Sequence, residues 1–250
     1  MTKQREAREQ VLELIETLQV GDAIPAERAL SHDLGVSRLT LRAALDELVR
    51  EGRLTRRRGS GTFVAEPKVA KGMTITSFSD DMRLRGLTPG SRTLEFRTIP
   101  AGARLGRILH VSPSQPVLSI KRLRLADGEP MAVELLHVPE SLFSGLTARD
   151  LEESSFYDMM GSRYGIDIVG GTQTVEPTVT GEEESQLLGV PLHSPALLFE
   201  RITHSAAGET VEYTSSIYRG DRYRIVSELG HGGHPAVPIG LAARAIDSFA

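Results

Sequence analysis

Two arginine pairs have the spacing of anion-binding sites. Arg38 and Arg42 are four residues apart in a helix-forming stretch, so their side chains lie on one side of that helix. Each guanidinium can donate two parallel hydrogen bonds to a guanine edge or to a phosphate. Arg122 and Arg124 are two residues apart in a strand-forming stretch, so they share a face and favour a dianion such as a phosphate monoester. The sequence thus predicts two separate anion sites.

The elements that position the first pair form a recognisable order. Apolar residues recur every three or four positions from 11 to 18 and predict an amphipathic helix. Pro25 lies near the start of a second helix, Gly35 makes a turn, and Ser37 is a good N-cap for the helix that carries the pair. Two short strands around residues 59–61 predict a hairpin. This order suits one helix in a DNA major groove and a wing against the backbone.

Charge is concentrated in the same segment, although the whole chain has a net charge of −4. Residues 37–61 contain seven arginines and three acidic residues, a balance of +4. Residues 67–250 contain 18 basic and 22 acidic residues, a balance of −4. A locally basic module joined to an acidic body suits a protein that binds nucleic acid through one domain.

We predict that the DNA-contacting residues are Arg28, Arg38, Leu39, Thr40, Arg42, Arg58 and Gly59. Leu39 is expected on the exposed side of its helix, where it can contact a thymine methyl group. Gly59 lets the wing backbone approach DNA closely, beside the charges of Arg56, Arg57 and Arg58. The alternative is an arginine-rich helix and hairpin that are merely solvated.

The composition excludes several kinds of protein and site. The chain has 250 residues, of which 40% are hydrophobic and 25% charged, so it has room for one large or two modest cores. It has no Cys, which excludes disulfides, thiolate catalysis and cysteine-based zinc sites. The charged N-terminus lacks the apolar region of a signal peptide, and no apolar run is long enough for a membrane span. We expect a cytoplasmic protein without a cofactor.

The rest of the chain is mostly strand-like. We predict a first domain at residues 1–66, a linker at 67–72, a second domain at 73–228 and a tail at 229–250. Hairpin turns at Asp127-Gly128 and Ala207-Gly208 join neighbouring strands, so the second domain is α+β on a largely antiparallel sheet. The predicted strands are 93–99, 117–125, 131–138, 166–175, 196–205 and 209–218, and the predicted helices are 103–109, 155–164 and 181–188.

Polar residues on other elements of this domain complement the second arginine pair. Ser155 and Tyr157 lie at a predicted helix start, where free N–H groups and hydroxyls suit the same anion. Glu134 and Glu212 lie on strands, where carboxylates accept hydrogen bonds from sugar hydroxyls, and Tyr218 ends the last strong strand. Each has a simpler interpretation: the arginines as surface salt-bridge partners, the glutamates as solvated strand residues, and Tyr157 as core.

The segment PAERALSHDLGVSRLTLRAALDELVREGRLTRRRGSGTFVA resembles the winged helix-turn-helix of the GntR family of bacterial transcription regulators. The resemblance covers the whole first domain. It differs at Ala26, where Ser is usual and would cap the helix, and at Leu39, which replaces a commonly polar residue. The resemblance implies DNA contacts by Arg28, Arg38 and Arg42, with Gly59 as the wing glycine.

Residues 73–226 resemble the UTRA domain, which is similar in fold to chorismate lyase and senses small molecules. The segments FSDDMRLRGLTPGS, IKRLRLADGEPMAVE, SSFY and VEYTSSIYRGDRY most closely resemble the NagR and DasR branch of these HutC-type regulators. That branch responds to phosphorylated amino sugars, notably N-acetylglucosamine-6-phosphate and glucosamine-6-phosphate. The resemblance implies phosphate ligands at Arg122, Arg124, Ser155 and Tyr157, and sugar-side ligands at Glu134, Glu212 and Tyr218. The loop at 86–88 is expected to close over the ligand.

The expected fold is therefore α+β, with an N-terminal winged helix-turn-helix and a C-terminal chorismate-lyase-like antiparallel sheet domain. The expected function is that of a homodimeric repressor of amino-sugar uptake or catabolism genes. Its partners would be an operator in double-stranded DNA and a phosphorylated sugar.

Two alternatives to this function remain open: a regulator that senses another acidic metabolite, and a chorismate-lyase-like enzyme. Against the enzyme, the sequence shows no Ser/His/Asp order and no metal cluster. His231 and His234 lack a third ligand nearby, so no metal site is predicted.

Overall fold

The N-terminal residues form three helices and a hairpin. The computed structural model describes residues 3–57, 59–66, 69–71 and 75–225. The elements of the first domain are α1 (Lys3–Glu16), α2 (Glu27–Asp33), α3 (Arg38–Arg50), β1 (Leu54–Arg57) and β2 (Gly61–Val64). The two strands pair in antiparallel fashion. The predicted helix-turn-helix and wing are confirmed.

Helix α3 is held in this domain by one apolar side. Its buried residues are spaced as expected for a helix that packs on a core, and they are Leu41, Ala44, Leu45 and Leu48. The predicted N-cap is confirmed, because Ser37 Oγ accepts a hydrogen bond from the Thr40 N–H at 3.1 Å. At the start of α2, Ala26 makes no side-chain capping bond, in keeping with the substitution noted in the sequence.

The second domain contains a six-stranded antiparallel sheet with the strand order β4-β5-β6-β9-β8-β7. The six predicted strands are all present and most are longer than predicted. The hairpin turn at Asp127 and Gly128 is also present, and both residues have the positive φ, 50° and 82°, that such a turn requires. The strands are β4 (Pro89–Pro100), β5 (Pro116–Ala126), β6 (Glu129–Pro139), β7 (Ile168–Val179), β8 (Pro195–Ser205) and β9 (Thr210–Arg219).

Helices cover both faces of this sheet. The helices are α4 (Phe78–Arg83), α5 (Gly102–Leu109), α6 (Ala148–Glu153), α7 (Phe156–Tyr164) and α8 (Glu182–Leu188), and a 3-10 turn spans Glu140–Leu142. On one face, Val117 of β5 packs in a hydrophobic cluster with residues of α5, and Leu123 packs in another with residues of α8. On the other face, Leu118 and Ile120 pack with α7. Because neighbouring strand residues point to opposite faces, even-numbered residues of β5 point toward α7.

Two short strands lie outside the large sheet. Strand β3 (Val69–Lys71) pairs in parallel with β10 (Tyr223–Ile225), so three residues of the predicted linker form a strand. Nearby, the end of α3 contacts the turn between β9 and β10: a Cβ atom at Gly52 would lie 1.9 Å from the Asp221 carbonyl oxygen. The two domains therefore meet at a backbone contact that only glycine permits. In the described part of the chain, none of the helices is long and apolar enough to cross a membrane.

Candidate functional site

The first turn of α3 is an exposed, arginine-bearing edge. Leu39 is 82% exposed, as expected for a residue that does not belong to the core. Arg38 and Arg28 of α2 line the same shallow surface depression. The Thr40 hydroxyl lies 2.8 Å from Ser37 Oγ and is therefore part of the N-cap. These four predicted DNA-contacting residues thus share one exposed region.

Acidic residues bind two further arginines of this surface. Arg42 Nε and Nη2 donate to Glu27 Oε2 at 3.2 and 2.9 Å. Arg56 on the wing forms an ion pair with Asp46 and lies 3.7 Å from Glu27. Exposed ion pairs contribute only about 0–1 kcal/mol, so a DNA phosphate can replace these carboxylates.

The wing has the backbone geometry expected at its tip. Gly59 is exposed and has a φ of 75°, which favours glycine. The guanidinium of Arg57 lies 4.6 Å from the Phe63 ring centroid, an arrangement that holds the cation above β2. The predicted contact Arg58 lies outside the described residues.

A cleft between α4, α7 and the sheet contains most of the second predicted site. Its empty space, part of it open to solvent, totals about 520 Å³. Six of the seven predicted residues line it: Arg122, Arg124, Glu134, Tyr157, Glu212 and Tyr218. The seventh, Ser155, is buried beside the lining, where its hydroxyl donates to Ser77 Oγ at 3.3 Å. Ser155 also caps α7, as its sequence position predicts.

Strand register explains why residues far apart in sequence meet in this cleft. Arg122 on β5 is opposite Glu134 on β6, and Glu134 is opposite Ser216 on β9. Arg201 on β8 is opposite Gln173 on β7. Because directly opposite residues of an antiparallel pair lie on the same face, these rows place polar side chains from five strands around one space.

A buried ion pair lies at one side of the cleft. Arg122 Nε donates to Glu134 Oε1 at 2.7 Å, and Arg122 Nη2 donates to the same oxygen. Burial opposes ionisation of Glu134, but Arg122 and Arg124 outweigh it and hold its pKa below the ordinary value. Burial, and then repulsion from Arg122, lowers the pKa of Arg124 to about 10. Glu134 and Arg124 are therefore charged at neutral pH.

The arginine pair has buried N–H groups that make no hydrogen bond. Within the described ranges, Arg122 Nη1 and Arg124 Nε have no acceptor. Arg124 Nη1 lies 3.3 Å from Ser91 Oγ, and the guanidinium lies 4.5 Å from the Phe78 ring centroid. A buried donor without an acceptor costs about 1–3 kcal/mol. An anion bound beside both guanidiniums would recover that free energy.

A hydrogen-bond chain lies at the other side of the cleft. Arg201 Nη1 donates to the Tyr157 hydroxyl at 3.1 Å, and Tyr157 donates to Glu212. Burial raises the pKa of Glu212, although the bond from Tyr157 opposes this effect. Burial and the Glu212 carboxylate raise the pKa of Tyr157 well above 10, so its phenol is protonated at neutral pH.

The cleft also contains polar residues that were not predicted from the sequence. On β9, Thr214 and Ser216 alternate with Glu212 and Tyr218, so the period of two residues was a signal that pointed to them. Arg201 had no comparable signal, because its role depends on the register of β8 with its neighbours. The residues missed are Ser77, Ser79, Gln173, Arg201, Thr214 and Ser216.

The chemistry of the cleft is that of binding. It offers cations, carboxylates and hydroxyls that can hold a polar anion. The residues that the structure describes include no group of three or more His, Asp or Glu side chains that could hold a metal ion. His231 and His234 lie outside those residues.

A winged helix-turn-helix joined to a sheet domain with a polar, arginine-lined cleft is the architecture of a transcription regulator. The UTRA domain model matches residues 84–224, and the model of bacterial regulatory proteins of the gntR family matches residues 3–64. The chain belongs to the GntR family and carries a UTRA domain of the HutC type. It is a transcriptional repressor of this type and not an enzyme, so the lyase alternative is not retained.

Relatives of this chain cover nearly its full length. It is 38% identical over 224 residues to the HTH-type transcriptional repressor NagR of Bacillus subtilis, covering 87% of this chain and 92% of the relative. It is 30% identical to the HTH-type transcriptional repressor PhnF of Mycolicibacterium smegmatis, covering 94% and 95%. The crystal structure of PhnF from Mycobacterium smegmatis aligns with a TM-score of 0.65 and 29% identity, covering 90% of this chain and all of that one.

Proposed function

We propose that this repressor controls amino-sugar uptake or catabolism genes and that its cleft binds a phosphorylated amino sugar. The proposed effectors are N-acetylglucosamine-6-phosphate and glucosamine-6-phosphate. The observation that carries the proposal is that Arg122 and Arg124 line a cleft that also holds two buried carboxylates, and that each arginine has a buried N–H group without an acceptor among the described residues. The 38% identity to NagR supports the same effector class, because the branch that this chain resembles responds to such sugars.

In the proposed complex, the phosphate lies at the arginine pair. Three arginines and two glutamates line the cleft, so its formal charge is +1 when these five groups are ionised and the tyrosines are neutral. Arg122 Nη1 and Arg124 Nε would each donate to a phosphate oxygen, and hydrogen bonds between charged partners are among the strongest in proteins. A neutral sugar leaves both donors without an acceptor and is therefore discriminated against.

The sugar lies toward the carboxylates in this proposal. Hydroxyl groups donate to Glu134 and Glu212, and Tyr218 packs against the ring. The Tyr218 ring lies in a cluster with Phe199 and Tyr223, at 4.9 and 4.3 Å between centroids. This aromatic wall fixes the position of the sugar but adds no charge.

We further propose that two copies of the chain form a homodimer that reads a pseudo-palindromic operator in the cytoplasm. Two α3 helices would then insert into successive major grooves, with Arg28, Arg38 and Arg42 as the principal contacts. In this proposal residues 1–66 form the reading domain, residues 67–72 connect it to the sensing domain, and residues 73–228 form that domain.

Two contacts support a route from the cleft to the DNA-binding domain. Tyr218 lines the cleft, and the turn that follows it contains Asp221, whose carbonyl oxygen abuts Gly52 at the end of α3. Arg219 holds Asp221 through hydrogen bonds of 3.0 and 2.7 Å. An effector that binds one position of this turn more tightly than another would change the orientation of α3.

A titration of operator affinity tests the effector. The operator is first selected from genomic fragments with the purified protein, and its affinity is then measured by fluorescence anisotropy. Saturating N-acetylglucosamine-6-phosphate should weaken operator binding at least tenfold, whereas N-acetylglucosamine should not. No change at saturating sugar phosphate would end the proposal.

A thermal-shift measurement tests the site. The sugar phosphate should raise the melting temperature, because a ligand that binds only the folded state stabilises it by mass action. Arg122→Ala should abolish the rise. Arg149→Ala is the matched control, since Arg149 is exposed and pairs only with Glu153 on its own helix among the described residues, so the rise should persist. A rise that survives Arg122→Ala would place the ligand elsewhere.

A sensor of another acidic metabolite is the second candidate. The observation in its favour is that the arginine pair recognises a phosphate or carboxylate whatever molecule carries it. The thermal-shift measurement separates the two candidates when it is extended to other phosphorylated and carboxylated metabolites.

A further inference from the structure

The hydrogen-bond chain in the cleft has a fixed direction. A guanidinium can only donate, so the Tyr157 oxygen accepts from Arg201 Nη1 at 3.1 Å. A phenol has one hydrogen, and Tyr157 donates it to Glu212. The raised pKa of Tyr157, caused by burial and by Glu212, keeps that hydrogen in place at neutral pH. Tyr157 therefore has no hydrogen to offer a ligand while Glu212 holds it.

Other contacts keep Arg201 from releasing Tyr157. Its Nε and Nη2 donate to Gln173 Oε1 at 3.0 and 2.8 Å, and Nη1 also donates to the Thr76 carbonyl oxygen at 3.1 Å. Burial lowers the pKa of Arg201, but Tyr157 and Glu212 outweigh burial and raise it overall, so it is cationic. The guanidinium is thus bonded to β7, to α7 and to the residues before α4.

Glu212 depends on this donor. The residue is 2% exposed, and the Tyr157 hydroxyl donates to its Oε1. A buried acceptor that loses its donor costs about 1–3 kcal/mol, and more when it is charged. A ligand that takes the Tyr157 hydrogen therefore binds well only if something else donates to Glu212.

We propose that Arg201 and Tyr157 make recognition conditional on two groups of one ligand. The first is an anionic acceptor that takes the Tyr157 hydrogen, and the second is a hydroxyl that replaces Tyr157 at Glu212. An anion without a hydroxyl leaves Glu212 Oε1 without its donor, and a neutral sugar finds that oxygen already bonded to Tyr157. A sugar phosphate satisfies both groups. This inference rests on the proposed effector class, and it names the residues that set its specificity.

Coupling between the two halves of the ligand tests this inference. The affinity of N-acetylglucosamine is measured by calorimetry or ligand-observed NMR, alone and with saturating methyl phosphate. In the wild type, methyl phosphate should tighten sugar binding at least fivefold, and the sugar should tighten methyl phosphate binding by the same factor. In Tyr157→Phe, neither ligand should change the affinity of the other by more than twofold, because Glu212 no longer exchanges one hydrogen-bond donor for another.

Two further variants complete the experiment. Tyr164→Phe is the matched control: it removes a buried hydroxyl on the same helix that bonds to nothing within the described residues, so the coupling should stay at the wild-type value. Arg201→Gln removes the donor that directs the Tyr157 hydrogen, so it should reduce the coupling. This second variant also keeps the test decisive if Tyr157→Phe does not fold.

The outcomes distinguish this inference from the proposed function. If the wild type does not bind N-acetylglucosamine-6-phosphate, both are overturned. If it binds the sugar phosphate but shows no coupling between the halves, the inference is wrong and the proposed effector stands. The same conclusion follows if both Tyr157→Phe and Arg201→Gln retain the full wild-type coupling.

Discussion

Replacing Arg122 with methionine isolates the buried ion pair in the ligand-free protein. Methionine removes the charge but keeps an unbranched side chain that fills the same space. Arg122 and Glu134 are 3% and 8% exposed, so the substitution leaves a buried carboxylate without its bonded counter-ion. Breaking such a pair costs about 3–5 kcal/mol, and we expect about 3 kcal/mol because Arg124 still attracts the carboxylate. That is a large part of the ~5–15 kcal/mol that stabilises a typical protein.

Urea unfolding at two pH values checks this magnitude and its cause. In the wild type the two arginines hold the pKa of Glu134 below its value in the unfolded chain. The ionised Glu134 therefore stabilises the folded state at any pH above the unfolded-state pKa. This stabilisation is lost only as the pH falls from the unfolded-state pKa toward the lower folded-state pKa. Without Arg122, burial dominates and raises the pKa of Glu134 above its unfolded value. The variant therefore regains stability relative to the wild type as the carboxyl group is protonated. The deficit should be larger at pH 7.5 than at pH 5.

A double variant provides the control. Arg122→Met combined with Glu134→Leu removes both charges, so its stability should return to within about 1 kcal/mol of the wild type. A loss below about 1 kcal/mol in the single variant would refute the reasoning. So would a double variant that is no more stable than the single one.

Three other substitutions have expected outcomes. Ala26→Ser supplies the missing cap of α2 and should stabilise the protein by about 0.5–1 kcal/mol in urea unfolding; a destabilised variant would contradict this. Gly52→Ala combines a φ of 74° with a clash against Asp221, so it should destabilise by more than about 1 kcal/mol and accelerate proteolysis between the domains; unchanged digestion would disprove the contact. Burial, with a smaller effect of Arg104, lowers the pKa of His137 to about 4, so the wild type should lose up to about 3 kcal/mol as pH falls from 6.5 to 4. His137→Gln should flatten that decline in pH-dependent unfolding.

Local chemistry made much of the fold predictable. The leucine spacing of α3 and its Ser37 cap depend on residues within one or two turns, so the sequence alone indicated them. The same holds for Arg122 and Arg124, which share a face of β5 because strands have a period of two. Helix α6 was missed although it begins with a capping box at Thr147, because its six residues are too few to show a periodic pattern.

Long-range pairing limited the prediction of the site. Arg201 reaches Tyr157 only because β8 lies beside β9 in one register, and a shift of one residue would turn it to the opposite face. The contact of Gly52 with Asp221 likewise joins residues from two domains. The sequence indicates that Gly52 ends a helix, but it carries no signal of the neighbour that excludes a side chain.

The ladder between β3 and β10 determines how the sensing domain should be studied in isolation. Its three rungs pair Val69, Ala70 and Lys71 with Tyr223, Arg224 and Ile225. A fragment that starts after residue 71 would lack β3 and would expose the edge of β10. The unpaired N–H and C=O groups of an exposed strand edge can pair with the same edge of another molecule. The oligomeric state of such a fragment could therefore reflect strand pairing that the truncation creates. The oligomeric state should be measured on the intact chain.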